Sequence, residues 1–225
     1  MITRLCASLF AVILGVCGTA AAVPRAYIPS INGTVSVVDT STNTVVGGPI
    51  TVGNSPIGVA AHPNGTRVYV GNGSSNTVSV IDTTSETVIA TIAVGNFPYG
   101  LALDPTGARL YVANAGALSV SVIDTATNSV VATIAGVGGP GDSPYSVAVS
   151  PSGNFVYAVN RTNTNRIRVA KIDTVANSVV SMTPVFGVNF NFVTVHGVAT
   201  ASHVYVTSAA DNAVYVLDPT TLALV

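Results

Sequence analysis

Five tyrosines, Tyr27, Tyr69, Tyr111, Tyr157 and Tyr205, recur at intervals of 42, 42, 46 and 48 residues. Five aspartates, Asp39, Asp82, Asp124, Asp173 and Asp218, keep step at 43, 42, 49 and 45. Two landmarks sharing one period of roughly 40–50 residues define a repeat array, in which one supersecondary unit is copied and stacked. Any fold proposed for the chain has to accommodate five such units.

Within a unit, four short runs rich in Val and Ile alternate with Thr, Ser and Ala. Gly, Pro, Asn, Asp or Ser separates them. In the second unit they are 58–61, 67–71, 77–81 and 87–94. That composition favours strands, and no stretch sustains a period of 3.6. Four strands per repeat predict an all-β propeller in which each unit forms one blade. Apolar residues on both faces, as at Val88-Ile89-Ala90, fit sheets covered on both sides by neighbouring blades.

The words of the repeat resemble the YVTN-type β-propeller family. Tyr69-Val70-Gly71-Asn72, Tyr111-Val112-Ala113-Asn114 and Tyr205-Val206-Thr207-Ser208 carry the tetrad. Tyr157-Ala158-Val159-Asn160 and Tyr27-Ile28-Pro29-Ser30 are looser copies. Val-Ile-Asp-Thr at 80–83 and 122–125, and Pro-x-Gly at 56–58 and 98–100, accompany them. The resemblance covers nearly all of 27–225. It implies a propeller of about five units, incomplete at both ends. Members of such families include exported and cell-surface proteins, while related propellers include lactonases, lyases and dehydrogenases. The resemblance therefore constrains the fold more than the function.

Residues 1–22 differ in composition. Arg4, the apolar run 5–16 and Ala20-Ala21-Ala22 predict a cleaved secretory signal peptide, leaving a propeller domain over 23–225 in the periplasm or at the cell surface. Leu14–Cys17 is similar to a lipidation box, but Val16 fits it poorly. Both cysteines, Cys6 and Cys17, lie in this leader, so the mature chain has no disulfide, thiolate metal site or cysteine nucleophile. Without Arg4, seven basic and nine acidic residues leave a formal charge of −2. This balance gives no case for a nucleic-acid partner, and no cofactor or metal is expected.

The first unit lacks an inner strand, and the chain stops inside the fourth strand of the last. The expectation is either a piece of a longer, seven-bladed propeller or a five-unit ring with one incomplete blade. The ring would be monomeric.

The repeated Asp residues are read as turn formers, since a carboxylate there accepts backbone N–H bonds. The middle residue of the Pro-x-Gly element, Tyr99 and Tyr145 with His196 in the divergent last unit, is read as lining the channel mouth. Arg161, Arg166, Arg168 and Lys171 gather four of the seven mature basic residues, with Arg166 and Arg168 expected on one strand face. Candidate ligand-binding residues are therefore Tyr99, Tyr145, His196, Arg161 and Arg166, with no catalytic or metal-binding set. Phe186, Phe190 and Phe192 mark a second departure from the repeat. Gly136–Gly141 spells Gly-x-Gly-x-x-Gly but leads into a strand, so it reads as a blade-to-blade loop. The function expected is a non-catalytic binding scaffold for protein, peptide or glycan. The alternative is a lactonase- or lyase-type propeller enzyme with its site at the central channel.

Overall fold

The computed structural model describes residues 12–13, 24–187, 197–208 and 211–225. Among these there is no helix, and the strands form five antiparallel sheets. The first holds β1 (Val12–Ile13), β2 (Arg25–Ser30), β3 (Thr34–Asp39) and β4 (Thr44–Thr51). The second holds β5 (Pro56–Ala61), β6 (Arg67–Asn72), β7 (Thr77–Asp82) and β8 (Thr87–Ala93). The third holds β9 (Pro98–Leu103), β10 (Arg109–Asn114), β11 (Ser119–Asp124) and β12 (Ser129–Ala135). The fourth holds β13 (Ser143–Val149), β14 (Phe155–Arg161), β15 (Ile167–Asp173) and β16 (Ser178–Met182). The fifth holds β17 (Gly197–Ala199), β18 (Val204–Ser208) and β19 (Ala213–Leu217). Each is a meander with its strands in chain order. The chain is an all-β propeller array of four-stranded blades, the last with three strands.

Period-two alternation explains why these strands are apolar on both faces. Tyr69, Val78, Val80 and Ile81 are all inaccessible to solvent, yet they serve two interfaces. Tyr69, Val78 and Val80 join Leu110, Val112 and Ile123 of the third blade. Val68, Val70 and Ile81 join Tyr27, Val35 and Val37 of the first. Corresponding clusters join the third blade to the fourth and the fourth to the fifth. Each fully buried Val or Ile contributes about 1.5–3 kcal/mol, so stability lies between blades rather than within one. Among the described residues no core cluster joins the fifth blade to the first, so these blades form an open array rather than a ring.

The inner position of the first blade is occupied by Val12–Ile13, which pair with Tyr27 and Ala26. This segment belongs to the apolar stretch read as a leader, and no inner strand was expected for this blade. The N–H and C=O groups along β2 accept any extended segment that reaches them. At the other end Leu224 bridges Leu217, which begins the expected fourth strand of the fifth blade.

The tetrad residues divide the work of holding a blade. Its tyrosine enters the interface with the next blade, as Tyr69 and Tyr111 show. Its asparagine is buried and bonded: Asn72 Nδ2 donates to Thr77 Oγ1 at 3.1 Å and Ser79 Oγ at 2.9 Å. Such pairing offsets the cost of removing an amide from water.

Candidate functional site

The two ends of the blades are built differently. Inner strands start, and second strands end, at one rim, called here the upper rim: Pro56 faces Asn72, Pro98 faces Asn114 and Pro144 faces Asn160. The turns after the third strand lie at the lower rim.

The inner strands β5, β9 and β13 each carry a β-bulge at the upper rim. Between the pairs Pro98–Asn114 and Leu101–Val112, Tyr99 and Gly100 stand against Ala113 alone. Ile57 and Gly58 likewise oppose Gly71, and Tyr145 is the extra residue between Pro144 and Ser146. A bulge re-aims the inserted side chain. The glycine then lets adjacent inner strands meet: a Cβ on Gly58 would fall 2.0 Å from the Tyr99 carbonyl oxygen, and one on Gly100 would fall 2.6 Å from that of Tyr145. The glycine of the Pro-x-Gly element is thus a point where the backbones of successive blades approach closely.

This geometry brings Tyr99 and Tyr145 together. Their rings meet edge to face with centroids 5.0 Å apart and planes at 69°. Phe97, from the linker into the third blade, adds a third ring 6.3 Å from Tyr99. Both tyrosines are half-buried and Phe97 is exposed. Burial raises the Tyr99 phenol above its ordinary pKa, with the neighbouring Tyr145 adding to the effect, so it is a neutral hydrogen-bonding group. His196, the fifth-blade counterpart, lies outside the described residues, as do Phe190 and Phe192.

Arg161 pairs with Ser143 at the start of β13, which places it on the same rim. Its Nε donates to Asn165 Oδ1 at 2.8 Å. Arg166 Nε donates to the Gly187 carbonyl at 2.8 Å. Each guanidinium group donates to a neutral oxygen. Arg168 differs, forming an ion pair of 2.7 Å with the buried Asp142. Arg166 and Arg168 therefore do not reach the same way: Arg168 turns to the linker entering its blade and Arg166 to the linker leaving it. Arg166 precedes β15, so strand alternation does not govern it. Asp142 also accepts the Gly139 N–H at 2.8 Å, which makes Gly136–Gly141 a braced linker rather than a phosphate loop.

The five aspartates sit at the lower rim. Asp124 Oδ1 accepts the N–H groups of Ala126 and Thr127, both at 3.0 Å. Asp39, Asp82, Asp173 and Asp218 repeat the motif. The following Thr ties this turn to the neighbouring one: Thr83 donates to the Gly65 carbonyl and Thr125 to that of Gly107. His62 and His203 belong to this rim as well, in the turns joining first and second strands. Among the described residues no three His, Cys, Asp or Glu side chains gather as metal ligands would.

The lower rim also holds what residue types alone did not reveal. Lys171 lies opposite Tyr157, where the other blades place Val37, Val80, Val122 and Val216 opposite their own tyrosines. It is only 7% exposed. Its ammonium donates to the Pro219 carbonyl at 2.8 Å and lies 4.1 Å from the centre of the Phe155 ring. Phe155 stands where the first three blades have Arg25, Arg67 and Arg109. The signal was present as two paired departures from the repeat, legible only with the strand register known.

A search of curated proteins finds no match. Among solved structures, the chain is similar to one described as Kuenenia stuttgartiensis hydrazine synthase, with 26% identity and a TM-score of 0.70. The likeness covers 89% of this chain and 64% of the other, so this chain spans less than two thirds of that structure's length. The family model described as YNCE-like beta-propeller matches residues 57–185, the second, third and fourth blades. That match extends over more than half of the chain and falls on the bulged inner strands, the tetrads and the aspartate turns: the chain belongs to the YNCE-like β-propeller family.

Proposed function

We propose that the chain is an exported, non-catalytic scaffold that binds a protein, peptide or glycan across the upper rim of its third and fourth blades. The observation that carries this reading is the Tyr99–Tyr145 pair, set by adjacent bulges and flanked by the exposed Phe97. Aromatic side chains with a polar tip offer large contact area at low entropic cost, and they suit sugar faces and peptide side chains alike. Arg161 and Arg166, held by neutral oxygens on the same blade, supply charge for an acidic or hydroxyl-rich ligand. Export rests on the leader-like composition of 1–22.

The test is binding of the purified chain to an immobilised glycan panel and to peptides from extracytoplasmic extracts. Tyr145→Ala and Arg161→Ala should weaken any interaction found by about tenfold, the scale of a 1.4 kcal/mol contact. Unchanged affinity in Tyr99→Ala, Tyr145→Ala and Arg161→Ala together would remove the upper rim from consideration.

A further inference from the structure

A cavity of about 260 Å³ opens at the lower rim between the fourth and fifth blades. Lys171, Phe155 and Tyr157 form part of its wall from the fourth blade, and Ser152, Thr200 and Thr220 bring hydroxyls from the surrounding turns. It lies at the opposite end of the blades from Tyr99 and Tyr145. Among the described residues lining it, the Lys171 ammonium is the only basic group.

Lys171 carries three N–H donors, and the protein supplies neutral acceptors for them: the Pro219 carbonyl at 2.8 Å and the Thr220 carbonyl at 3.5 Å. No carboxylate pairs with it among the salt bridges of the described residues. The nearby Asp218 turns its Oδ1 onto the N–H groups of Thr220 and Thr221, at 2.8 and 2.7 Å. A nearly buried cation held by carbonyl oxygens retains a strong preference for an anion. Phe155 and Pro219 add apolar wall beside it.

Another part of the repeat shows that the clasp alone does not need this arrangement. Between the second and third blades Arg67 Nη1 donates to the Thr125 carbonyl at 2.7 Å, the same turn position as Pro219, and Val80 occupies the place of Lys171. Between the fourth and fifth blades the cation has moved from strand start to strand interior, and an aromatic ring stands where the arginine would be. The exchange keeps the bond to the next blade and opens a walled cavity onto the ammonium.

We infer that this cavity is a binding site for the carboxylate of a small organic acid or a peptide C-terminus. The carboxylate sits on Lys171 with the Thr220 and Ser152 hydroxyls beside it, and an apolar body lies against Phe155. The volume suits a ligand of aromatic-acid size.

The experiment follows backbone amide shifts of Ala201, Thr200 and Thr220 while the purified chain is titrated with phenylacetate. Methyl phenylacetate serves as the uncharged control. Gly-Gly-Phe with a free or an amidated C-terminus separates a free acid from a peptide source. The expected result is saturable binding with a dissociation constant on the order of 1 mM for the free carboxylates, and none for ester or amide. The double substitution Phe155→Arg with Lys171→Val restores the arrangement of the second and third blades. It should keep the fold and weaken binding at least about tenfold, whereas Tyr99→Ala should leave binding unchanged. Equal binding by the folded double variant, shifts confined to the upper rim, or no saturable binding of either carboxylate would overturn the assignment.

Discussion

Lys171 donates to the carbonyl of Pro219, 2.8 Å away, and thereby makes from the interior of one strand the bond that Arg67 makes from the start of another to Thr125. The fourth blade is fastened to the fifth by a relocated cation. Lys171→Val alone should lower stability by about 1 kcal/mol, the scale of one net hydrogen bond, because Tyr157 Oη still donates to the same carbonyl at 3.0 Å. Adding Phe155→Arg should recover most of that loss. Thermal unfolding of the two variants beside the parent chain measures both.

The inner-strand glycines are fixed by space. Gly58→Ala would press a methyl group against the Tyr99 carbonyl and Leu101, and backbone cannot step aside as a side chain can. The expected loss is about 3 kcal/mol, the upper part of the overpacking range. Gly48→Ala is the control: nothing lies within 4 Å of its Cβ, and the change should stay within about 0.5 kcal/mol. Denaturant unfolding compares the pair.

Leu118 adopts φ of +52° at the turn between β10 and β11, where Asn76, Asn165 and Asn212 take the equivalent place in other blades. A leucine there bears the left-handed penalty that asparagine largely escapes. Its side chain is 38% exposed, so little packing is at stake. Leu118→Asn should raise stability by about 0.5–1 kcal/mol in the same unfolding assay.

The aspartate turns predict an acid limit to stability. Backbone N–H bonds hold Asp82, Asp124 and Asp218 below the ordinary carboxylate pKa, and the Ser41 hydroxyl does the same for Asp39. A folded pKa below the unfolded one adds stability that is complete above the unfolded pKa and disappears as pH falls through the folded value. The melting temperature should therefore hold between neutrality and about pH 5 and fall below about pH 4. Asp124→Ala should lower it at neutral pH and flatten the acid slope, leaving upper-rim binding intact.

The sequence carried the architecture because a repeat states its strand pattern several times. The expected strands 67–71 and 77–81 end within one residue of β6 and β7, and the Pro-x-Gly element marks the rim where Tyr99 meets Tyr145. Side-chain direction was less legible. Arg166 lies one residue outside β15, so counting by twos gave it the direction of Arg168, whereas the two reach different linkers. Lys171 looked like one more member of a basic run. Its partners in space, Phe155 and Pro219, are 16 and 48 residues away; strand pairing within the blade brings the first and blade stacking the second.

Successive blades bury each other's faces, with their inner strands side by side at the Pro-x-Gly bulges. Proton cross-relaxation between the Tyr99 and Tyr145 rings tests this stacking most directly, since these residues are 46 apart in sequence and belong to different sheets. With ring centroids at 5.0 Å, cross-peaks between the two rings should appear in the intact chain and vanish in Tyr99→Ala. A Tyr145 ring whose cross-peaks lead only to residues of its own sheet would contradict the stacked arrangement and the site built on it.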